Sequence, residues 1–266
     1  MINLLIICAV LYLLSTRCRR DHPGWKELLG WSYAHRGLHG AGVPENSLAA
    51  FQAAVDGGYG VELDVHLMKD GNLAVIHDSL LNRTTGQPGR VEDLTTEELS
   101  QYHLEGTEQT IPEFMDVLTL FNGKAPLIVE LKPVDGNHAA LAEAVCKMLE
   151  SYKGVFCLES FDPRCLAWLK KHRPDIIRGQ LAEDFLKTRN DLPEHMRFAL
   201  THLMANFTGV PDFIAYRFDH RKNTISLELC RRFWKAKGVS WTLRSKEDYD
   251  TAVQEGWIPI FEGFRP

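Results

Sequence analysis

Short apolar stretches that contain or precede charged residues mark four places in the first half of the chain. They are Trp31 to Ala34 before His35, Gly60 to Val65 around Glu62 and Asp64, Leu73 to Ile76 before His77, and Ile128 to Leu131, which contains Glu130 and precedes Lys132. Because successive side chains of a strand alternate between its faces, Glu62 and Asp64 share one face, and so do Glu130 and Lys132. The apolar neighbours fill the opposite face, as in a parallel strand covered by helices.

Strand-like and helix-like stretches alternate through the rest of the chain. Strands are predicted near 155–160, 176–181, 212–217 and 238–243, and helices near 112–121, 137–152, 163–172, 184–204, 224–236 and 245–255. An earlier helix is predicted to begin at Asn46 as its N-cap and to end at Gly57 and Gly58. With the four early strands this makes eight, the number in a TIM-type (β/α)8 barrel.

The strand predicted over 72–77 is an exception to the alternation of strands and helices along the chain. Its connection to the strand at 60–65 passes through Lys69, Asp70 and Gly71 and is too short for a crossover helix. If both strands are parallel members of the barrel, the chain between them must return in an extended conformation.

The three acids on the inner side of the early strands predict a metal site. Buried carboxylates are costly unless a positive charge compensates them. Glu62, Asp64 and Glu130 offer only oxygen donors, which favours one hard divalent cation, Mg²⁺ or Ca²⁺, over zinc.

Two histidines and two cations lie near these acids in the predicted fold. His35 and His77 follow apolar stretches, so they are expected at the carboxyl-terminal rim of the barrel, where catalytic groups collect. Imidazoles at that place suit general acid and base catalysis on a phosphodiester. Arg36 and Lys132 would stabilise charge on the phosphoryl oxygens. The alternative is that Arg36 pairs with one of the acids and takes the place of the metal ion.

The first residues differ from the rest of the chain. Every residue from Leu4 to Leu14 is apolar or aromatic, and Arg17, Arg19 and Arg20 follow. We predict a hydrophobic membrane anchor with a basic flank over 1–20, a linker over 21–30 and a barrel domain over 31–266. Within the linker, His22 to Leu29 could instead form a short helix that leads into the first strand. The basic cluster on the body side predicts a cytoplasmic catalytic domain by the positive-inside rule. The alternative is an apolar leader that packs against the barrel or a partner.

Composition excludes some classes of protein and of site. The 266 residues fit one barrel, and a net charge of −5 argues against nucleic acid as a partner. The six cysteines lack the spacing of a metal site or a disulfide framework, so they are predicted to be reduced. His39, His66, His103 and His138 are expected in loops or on outward faces.

The ordered motifs of the chain resemble those of the glycerophosphodiester phosphodiesterase family. They are His35-Arg36-Gly37, Pro44-Glu45-Asn46-Ser47, Glu62-Leu63-Asp64-Val65, Lys69-Asp70-Gly71, His77-Asp78, Asn82-Arg83-Thr84-Thr85-Gly86, Ile111-Pro112, Glu130-Leu131-Lys132, Ser160-Phe161 and Trp241-Thr242. The chain departs from the family's pattern at Met68 and in the final strip, Phe261 to Pro266.

The resemblance implies a barrel enzyme that hydrolyses glycerophosphodiesters to sn-glycerol 3-phosphate and an alcohol. The leading hypothesis is such an enzyme tethered to a membrane, where lysophospholipids within reach of the bilayer are further substrates. The resemblance also implies Glu62, Asp64 and Glu130 as metal ligands, His35 and His77 as acid and base, and the free hydroxyl of the substrate's own glycerol as first nucleophile. Arg36, Lys132, Asn46, Phe161 and Trp241 are the expected substrate contacts. The alternatives are a lysophospholipase D, a phosphoinositide phospholipase-like enzyme, or a catalytically silent membrane-anchored barrel.

Overall fold

A closed barrel of eight parallel strands forms the body of the protein. The computed structural model describes residues 2–266. The barrel strands are β1 (Tyr33–His35), β2 (Gly60–Leu67), β4 (Leu127–Leu131), β5 (Phe156–Ser160), β6 (Arg178–Ala182), β7 (Phe213–Arg217), β8 (Lys237–Leu243) and β9 (Ile258–Phe261). β9 pairs with β1 and β1 pairs with β2, both in parallel, which closes the sheet. The predicted TIM-type barrel is therefore confirmed.

The eight strands are not the eight that the sequence pattern predicts. β3 (Leu73–Val75) pairs antiparallel with β2, so the predicted strand 72–77 is a hairpin arm and not a barrel strand. Gly71, with φ of 85°, supplies the tight turn between the two arms. The eighth barrel strand is β9, which the pattern missed because it is four residues long and contains Pro259.

Helices cover the outside of the barrel. They are α1 (Ile2–Ser15), α2 (Trp25–Leu28), α3 (Leu48–Asp56), α4 (Asn82–Thr85), α5 (Phe114–Phe121), α6 (His138–Leu149), α7 (Pro163–His172), α8 (Phe185–Thr188), α9 (Glu194–Thr201), α10 (Asn206–Gly209), α11 (Ile225–Glu228) and α12 (Lys246–Gln254). The N-cap of α3 is Ser47, whose hydroxyl accepts a hydrogen bond from the amide of Ala50, and not Asn46 as predicted. Asn46 is thereby free to point into the barrel.

The barrel interior has an apolar lower layer and a polar upper layer. Tyr33, Ile128 and Phe213 belong to a buried cluster at the amino-terminal ends of the strands. Trp25 and Leu28 of α2 join this cluster and close the bottom of the barrel. The segment predicted as a linker over 21–30 thus contains a helix that packs against the core.

α1 lies beside the barrel and extends beyond it. The Tyr12 hydroxyl bonds the hydroxyl of Ser226 in the first turn of α11, at the carboxyl-terminal rim just after β7. Further along, the Thr16 carbonyl accepts a hydrogen bond from Cys230, and Arg19 pairs with Asp212 before β7 begins. α1 therefore runs from the rim towards the bottom, and its residues 2–11, all exposed, project past the rim.

Between residues 2 and 266, no helix has both the length and the apolar character needed to cross a bilayer. The alternative of an apolar leader packed against the barrel holds only for the end of this segment, since Thr16 and Cys18 are buried while 2–11 are exposed.

Candidate active site

Three carboxylates converge inside the upper layer of the barrel. Glu62 and Asp64 project from β2, and Glu130 projects from β4, where it lies in register with Asp64. One oxygen of each lies within 4.8 Å of the others, and all three residues are buried. The proximity that the strand alternation predicted is therefore observed.

Two fixed cations partly neutralise this acidic cluster. Nζ of Lys132 lies 3.1 Å from Oδ1 of Asp64 and 2.9 Å from Oε1 of Glu130. The Arg36 guanidinium lies 3.4 Å from Oδ2 of Asp64 and pairs with Glu45 at 2.9 Å. Neither Lys132 nor Arg36 forms an ion pair with Glu62 within the part of the chain that the structure describes.

The pKa values of the three acids show how unevenly they are compensated. Burial, together with the charges of Asp64 and Glu130, raises the pKa of Glu62 well above its usual range. Burial also raises the pKa of Glu130, to about 7, although Lys132 opposes the shift. Burial alone would raise the pKa of Asp64, but Lys132, His77 and Arg36 hold it well below its usual value.

The acidic cluster fits one hard divalent cation. Glu62 forms no ion pair with a lysine or arginine side chain in the described chain, so a further cation would compensate its charge. Three carboxylate groups from two adjacent strands are the donor set that Mg²⁺ and Ca²⁺ use in proteins, with substrate or water oxygens completing the shell. The Arg36 guanidinium pairs with Asp64, and only the backbone amide of Arg36 reaches Glu62, donating a hydrogen bond to Oε2 at 3.2 Å. The side-chain charge of Arg36 therefore does not replace that cation at Glu62.

His35 lies at the end of β1 with its two ring nitrogens in different surroundings. Nδ1 donates a hydrogen bond to Oε2 of Glu262 at 2.5 Å, and Nε2 lies 3.8 Å from Oε2 of Glu62. Burial lowers the pKa of His35 to about 4, although the hydrogen bond to Glu262 opposes the shift. His35 is therefore neutral at neutral pH and presents Nε2 to the acidic cluster.

Glu262 is a site residue that the sequence pattern did not single out. It follows β9 directly, as His35 follows the apolar part of β1, and its second oxygen accepts a hydrogen bond from Arg244 at 3.0 Å. The signal was an acid at the end of an apolar run, but that run was not recognised as a barrel strand. Burial would raise the pKa of Glu262, yet His35 and Arg244 lower it to about 2, so it is ionised.

His77 lies opposite, on the loop that follows the hairpin arm β3. Its Nδ1 donates to Oδ1 of Asp78 at 2.6 Å, and Asp78 is in turn paired with Arg83. Burial lowers the pKa of His77, while Asp64 and Asp78 oppose the shift. Asp78 thus supports His77.

Two histidines that were predicted to be surface residues lie inside the site region. His66 is buried, and its ring contacts Glu92 at 2.7 Å and the backbone carbonyl of His77 at 3.2 Å. His39 is half-buried, with a ring nitrogen near His35 and Glu262. The surface prediction was wrong for His66, which shares the inner face of β2 with Glu62 and Asp64. His39 lies in a loop, as predicted, but is half-buried.

The remaining predicted contacts occupy different places. Asn46 donates a hydrogen bond from Nδ2 to Oδ2 of Asp64 at 2.9 Å, so it orients a carboxylate. Phe161 and Trp241 stack edge to face with their centroids 5.6 Å apart. Phe161 and His77 line the same cavity, and Trp241 contacts Phe161 without lining it.

Comparisons with known proteins agree on one family. The model of the glycerophosphoryl diester phosphodiesterase family matches residues 35–261. A glycerophosphodiester phosphodiesterase from Caldanaerobacter subterraneus subsp. tengcongensis is 30% identical over 236 residues, which cover 84% of this chain and 89% of that protein. Glycerophosphodiester phosphodiesterase 1 from Homo sapiens is 42% identical over 264 residues, which cover 85% of this chain and 76% of that protein.

The fold is also found among solved structures. A phosphodiesterase from Oleispira antarctica, solved in complex with its product sn-glycerol-3-phosphate, superposes with a TM-score of 0.71 and 23% identity and covers 90% of this chain and 94% of its own. This likeness shows that the barrel is shared.

Proposed function

Since this chain belongs to the glycerophosphoryl diester phosphodiesterase family and hydrolyses glycerophosphodiesters, we propose that it does so with one divalent cation, Mg²⁺ or Ca²⁺, and with His35 and His77 as acid and base. The products are sn-glycerol 3-phosphate and an alcohol. One observation carries the proposal: Glu62, Asp64 and Glu130 meet within 4.8 Å, in a site that both imidazoles also enter.

Glu62, Asp64 and Glu130 would hold the cation, which supplies positive charge for the phosphoryl oxygens when bound. Lys132 and Asn46 fix Asp64 from two sides, at 3.1 Å and 2.9 Å. The carboxylates therefore enter the reaction already oriented, which lowers the reorganisation that catalysis requires. Lys132 and Arg36 add charge that stabilises the phosphoryl group.

The two histidines lie where a proton can be taken and returned. We propose that one accepts the proton of the free glycerol hydroxyl as that oxygen bonds to phosphorus. The other donates a proton to the alcohol oxygen as its bond to phosphorus breaks. Water then opens the cyclic phosphate with the roles reversed. Burial keeps His35 neutral at neutral pH, which suits it to accept a proton.

Phe161 would form the wall against which the substrate lies, and Trp241 would support Phe161. Their edge-to-face contact at 5.6 Å makes that wall rigid. Phe161 faces the cavity directly, so it is the stronger candidate for a substrate contact.

We further propose that α1 associates the enzyme with a membrane and that the catalytic domain is cytoplasmic. Residues 2–11 are apolar apart from Asn3, and all are exposed. An all-apolar helix surface is stable only in a nonpolar environment. Ten helical residues span about 15 Å, enough to enter the acyl region of one leaflet.

The proposal is tested by assaying hydrolysis of glycerophosphocholine by the purified protein with Mg²⁺, with Ca²⁺ and after chelation. Chelation is expected to abolish release of glycerol 3-phosphate, and either ion is expected to restore it. His77→Ala should lower kcat by roughly two to four orders of magnitude. His103→Ala, at an exposed position, is the matched control. Undiminished turnover after chelation, or equal activity of the two variants, contradicts the proposed mechanism.

A further inference from the structure

A second cavity lies between the segment that follows α1 and the side of the barrel. Its volume is about 620 Å³, and among the described residues its walls contain no acid but five cations: Arg17, Arg19, Arg20, Lys170 and Arg178. We name it the basic cavity. Arg178 is the first residue of β6, so the basic cavity lies towards the amino-terminal ends of the strands. The active-site cavity, lined by His77 and Lys132, is at the opposite end and shares no lining residue with it.

The positive charge of the basic cavity is largely uncompensated. Within residues 2–266, Arg19 is the one cation of the five whose side chain pairs with a carboxylate, donating to both oxygens of Asp212 at 2.6 Å. Lys170 donates to the backbone carbonyl of Thr208 at 3.0 Å. A carbonyl group carries no net charge, so this hydrogen bond leaves the charge of Lys170 in place. The basic cavity is therefore suited to an anion.

Arg178 is the buried member of the set and has an unused donor. It is only 2% exposed, its Nε donates to the carbonyl of Gly209 at 2.7 Å, and its Nη1 has no hydrogen-bond partner in the described structure. Burial and the charge of Arg19 lower the pKa of Arg178 to about 10, although Asp212 opposes the shift. A buried donor without an acceptor costs free energy. An anion beside Nη1 would supply both the acceptor and the opposite charge.

The size and the walls of the basic cavity indicate an anion with an organic part. A volume of about 620 Å³ lies within the range of small-molecule pockets, roughly 300–1,000 Å³. Phe233 and Trp234 also line the cavity, and Cζ of Arg20 lies 5.9 and 5.8 Å from their ring centroids. The aromatic rings fit an organic group. The guanidinium donors match the oxygens of a phosphate, which is the anion that arginine clusters bind best.

We propose that the basic cavity binds the phosphate group of an organic phosphate monoester, with Arg178 at the buried end and Arg17, Arg20 and Lys170 around it. A monoester carries a charge of roughly −1.5 to −2 at pH 7, which suits several cations. This site is separate from the hydrolytic site, so it does not depend on the proposed function. A soluble ester and a lipid such as phosphatidic acid both carry this group, and the experiment separates the two sources.

The soluble source is tested by calorimetric titration of the full-length, chelator-treated protein with phenyl phosphate at constant ionic strength. Lys170→Gln should raise the Kd at least about tenfold, because a charge-assisted contact to the phosphate is lost. Lys171→Gln is the matched control, since Lys171 is the next residue of α7 and is exposed, but does not line the cavity. Both unliganded variants should unfold within about 2 °C of the wild type, which shows that they fold.

Tryptic cleavage separates the basic cavity from the active site as the place of binding. Arg17 and Arg20 are exposed cleavage sites that line the basic cavity. Phenyl phosphate at ten times its Kd should slow cleavage after both residues by roughly tenfold, because only the unbound protein is cut there. This protection should remain in Lys171→Gln and be lost in Lys170→Gln at the same concentration. A phosphate bound only at the opposite end of the barrel would protect neither arginine.

The lipid source is tested with phosphatidylcholine vesicles with and without phosphatidic acid. If the group comes from a lipid, phosphatidic acid should increase cosedimentation of Lys171→Gln more than that of Lys170→Gln, while phenyl phosphate fails to bind. Equal behaviour of the two lysine variants towards both probes, or binding of phenyl phosphate without protection of Arg17 and Arg20, would overturn the inference.

Discussion

Glu262 accepts a hydrogen bond from Nδ1 of His35 at 2.5 Å, across 227 positions of the chain. This contact fixes the imidazole so that Nε2 faces the acidic cluster. It also opposes the loss of basicity that burial imposes on His35. The pair has the arrangement in which a carboxylate orients a histidine and sets its tautomer.

Glu262→Gln is expected to lower kcat by roughly 10- to 100-fold, the range seen when an orienting partner is removed from a functional histidine. KM should change little, because Glu262 contacts the histidine and not the cavity. Steady-state kinetics on glycerophosphocholine across a pH series checks this. Removing the carboxylate of Glu262 lowers the pKa of His35 further. If the protonation of His35 controls part of the dependence of kcat on pH, that part should move to lower pH. The control is Glu247→Gln, because Glu247 is an exposed acid on α12. An unaltered kcat in Glu262→Gln would show that the contact between Glu262 and His35 is only structural.

The buried carboxyl group of Glu159 should make the free energy of unfolding decrease as the pH rises above 4.5. It is buried beside Glu130, one of its oxygens has no hydrogen-bond partner in the described structure, and burial with Glu130 and Asp64 raises its pKa well above 4.5. Above pH 4.5 the folded state therefore holds a proton that the unfolded state has released, and unfolding becomes easier with rising pH until the folded-state pKa is passed.

Glu159→Gln removes this dependence. In protein freed of divalent ions, the variant should unfold at a Tm at least about 2 °C above the wild type at pH 8, since roughly 1 kcal/mol shifts Tm by 2–4 °C at this size. The two proteins should converge as the pH approaches 4. Thermal unfolding followed by circular dichroism checks this, with Glu143→Gln as an exposed control on α6. A difference in Tm that is the same at both pH values would refute the explanation.

If the free hydroxyl of the substrate's own glycerol is the first nucleophile, the rate of hydrolysis should depend strongly on the number of acyl chains that the glycerol carries. With two acyl groups the glycerol has no free hydroxyl, so the first step loses the advantage of an intramolecular attack. We expect dihexanoyl phosphatidylcholine to be hydrolysed at least about 100-fold more slowly than 1-hexanoyl lysophosphatidylcholine. Release of choline from both monomeric substrates is the measurement. Comparable rates would mean that water attacks directly.

Membrane association should depend on residues 2–11. An aspartate within an inserted apolar helix costs about 2–3 kcal/mol, so Val10→Asp should weaken binding to phospholipid vesicles by roughly a hundredfold. Cosedimentation with vesicles measures this, and turnover of soluble glycerophosphocholine should be unchanged. Val253→Asp is the matched control, because both valines are 48% exposed but Val253 lies on α12. If both variants cosediment equally, α1 is not the membrane contact.

Local chemistry in the chain determined much of this protein. The alternation of inward acids with outward valines and leucines on β2 and β4 predicted both the parallel strands and the meeting of Glu62, Asp64 and Glu130. Such patterns are informative because side-chain direction on a strand follows from residue parity alone. The reduced cysteines were predicted from composition in the same way.

Only the tertiary structure decided which strands close the barrel and which distant residues complete the site. Leu73–Val75 has the composition of a barrel strand, but pairing with β2 makes it a hairpin arm, while the short Ile258–Phe261 takes the eighth place. That closure carries Glu262 to His35, and the packing of α8 and α9 brings Phe185, Met196 and Leu200 to the cavity that His77 lines. These contacts join residues far apart in the chain, and local periodicity contains no information about which long-range pairing has the lowest free energy.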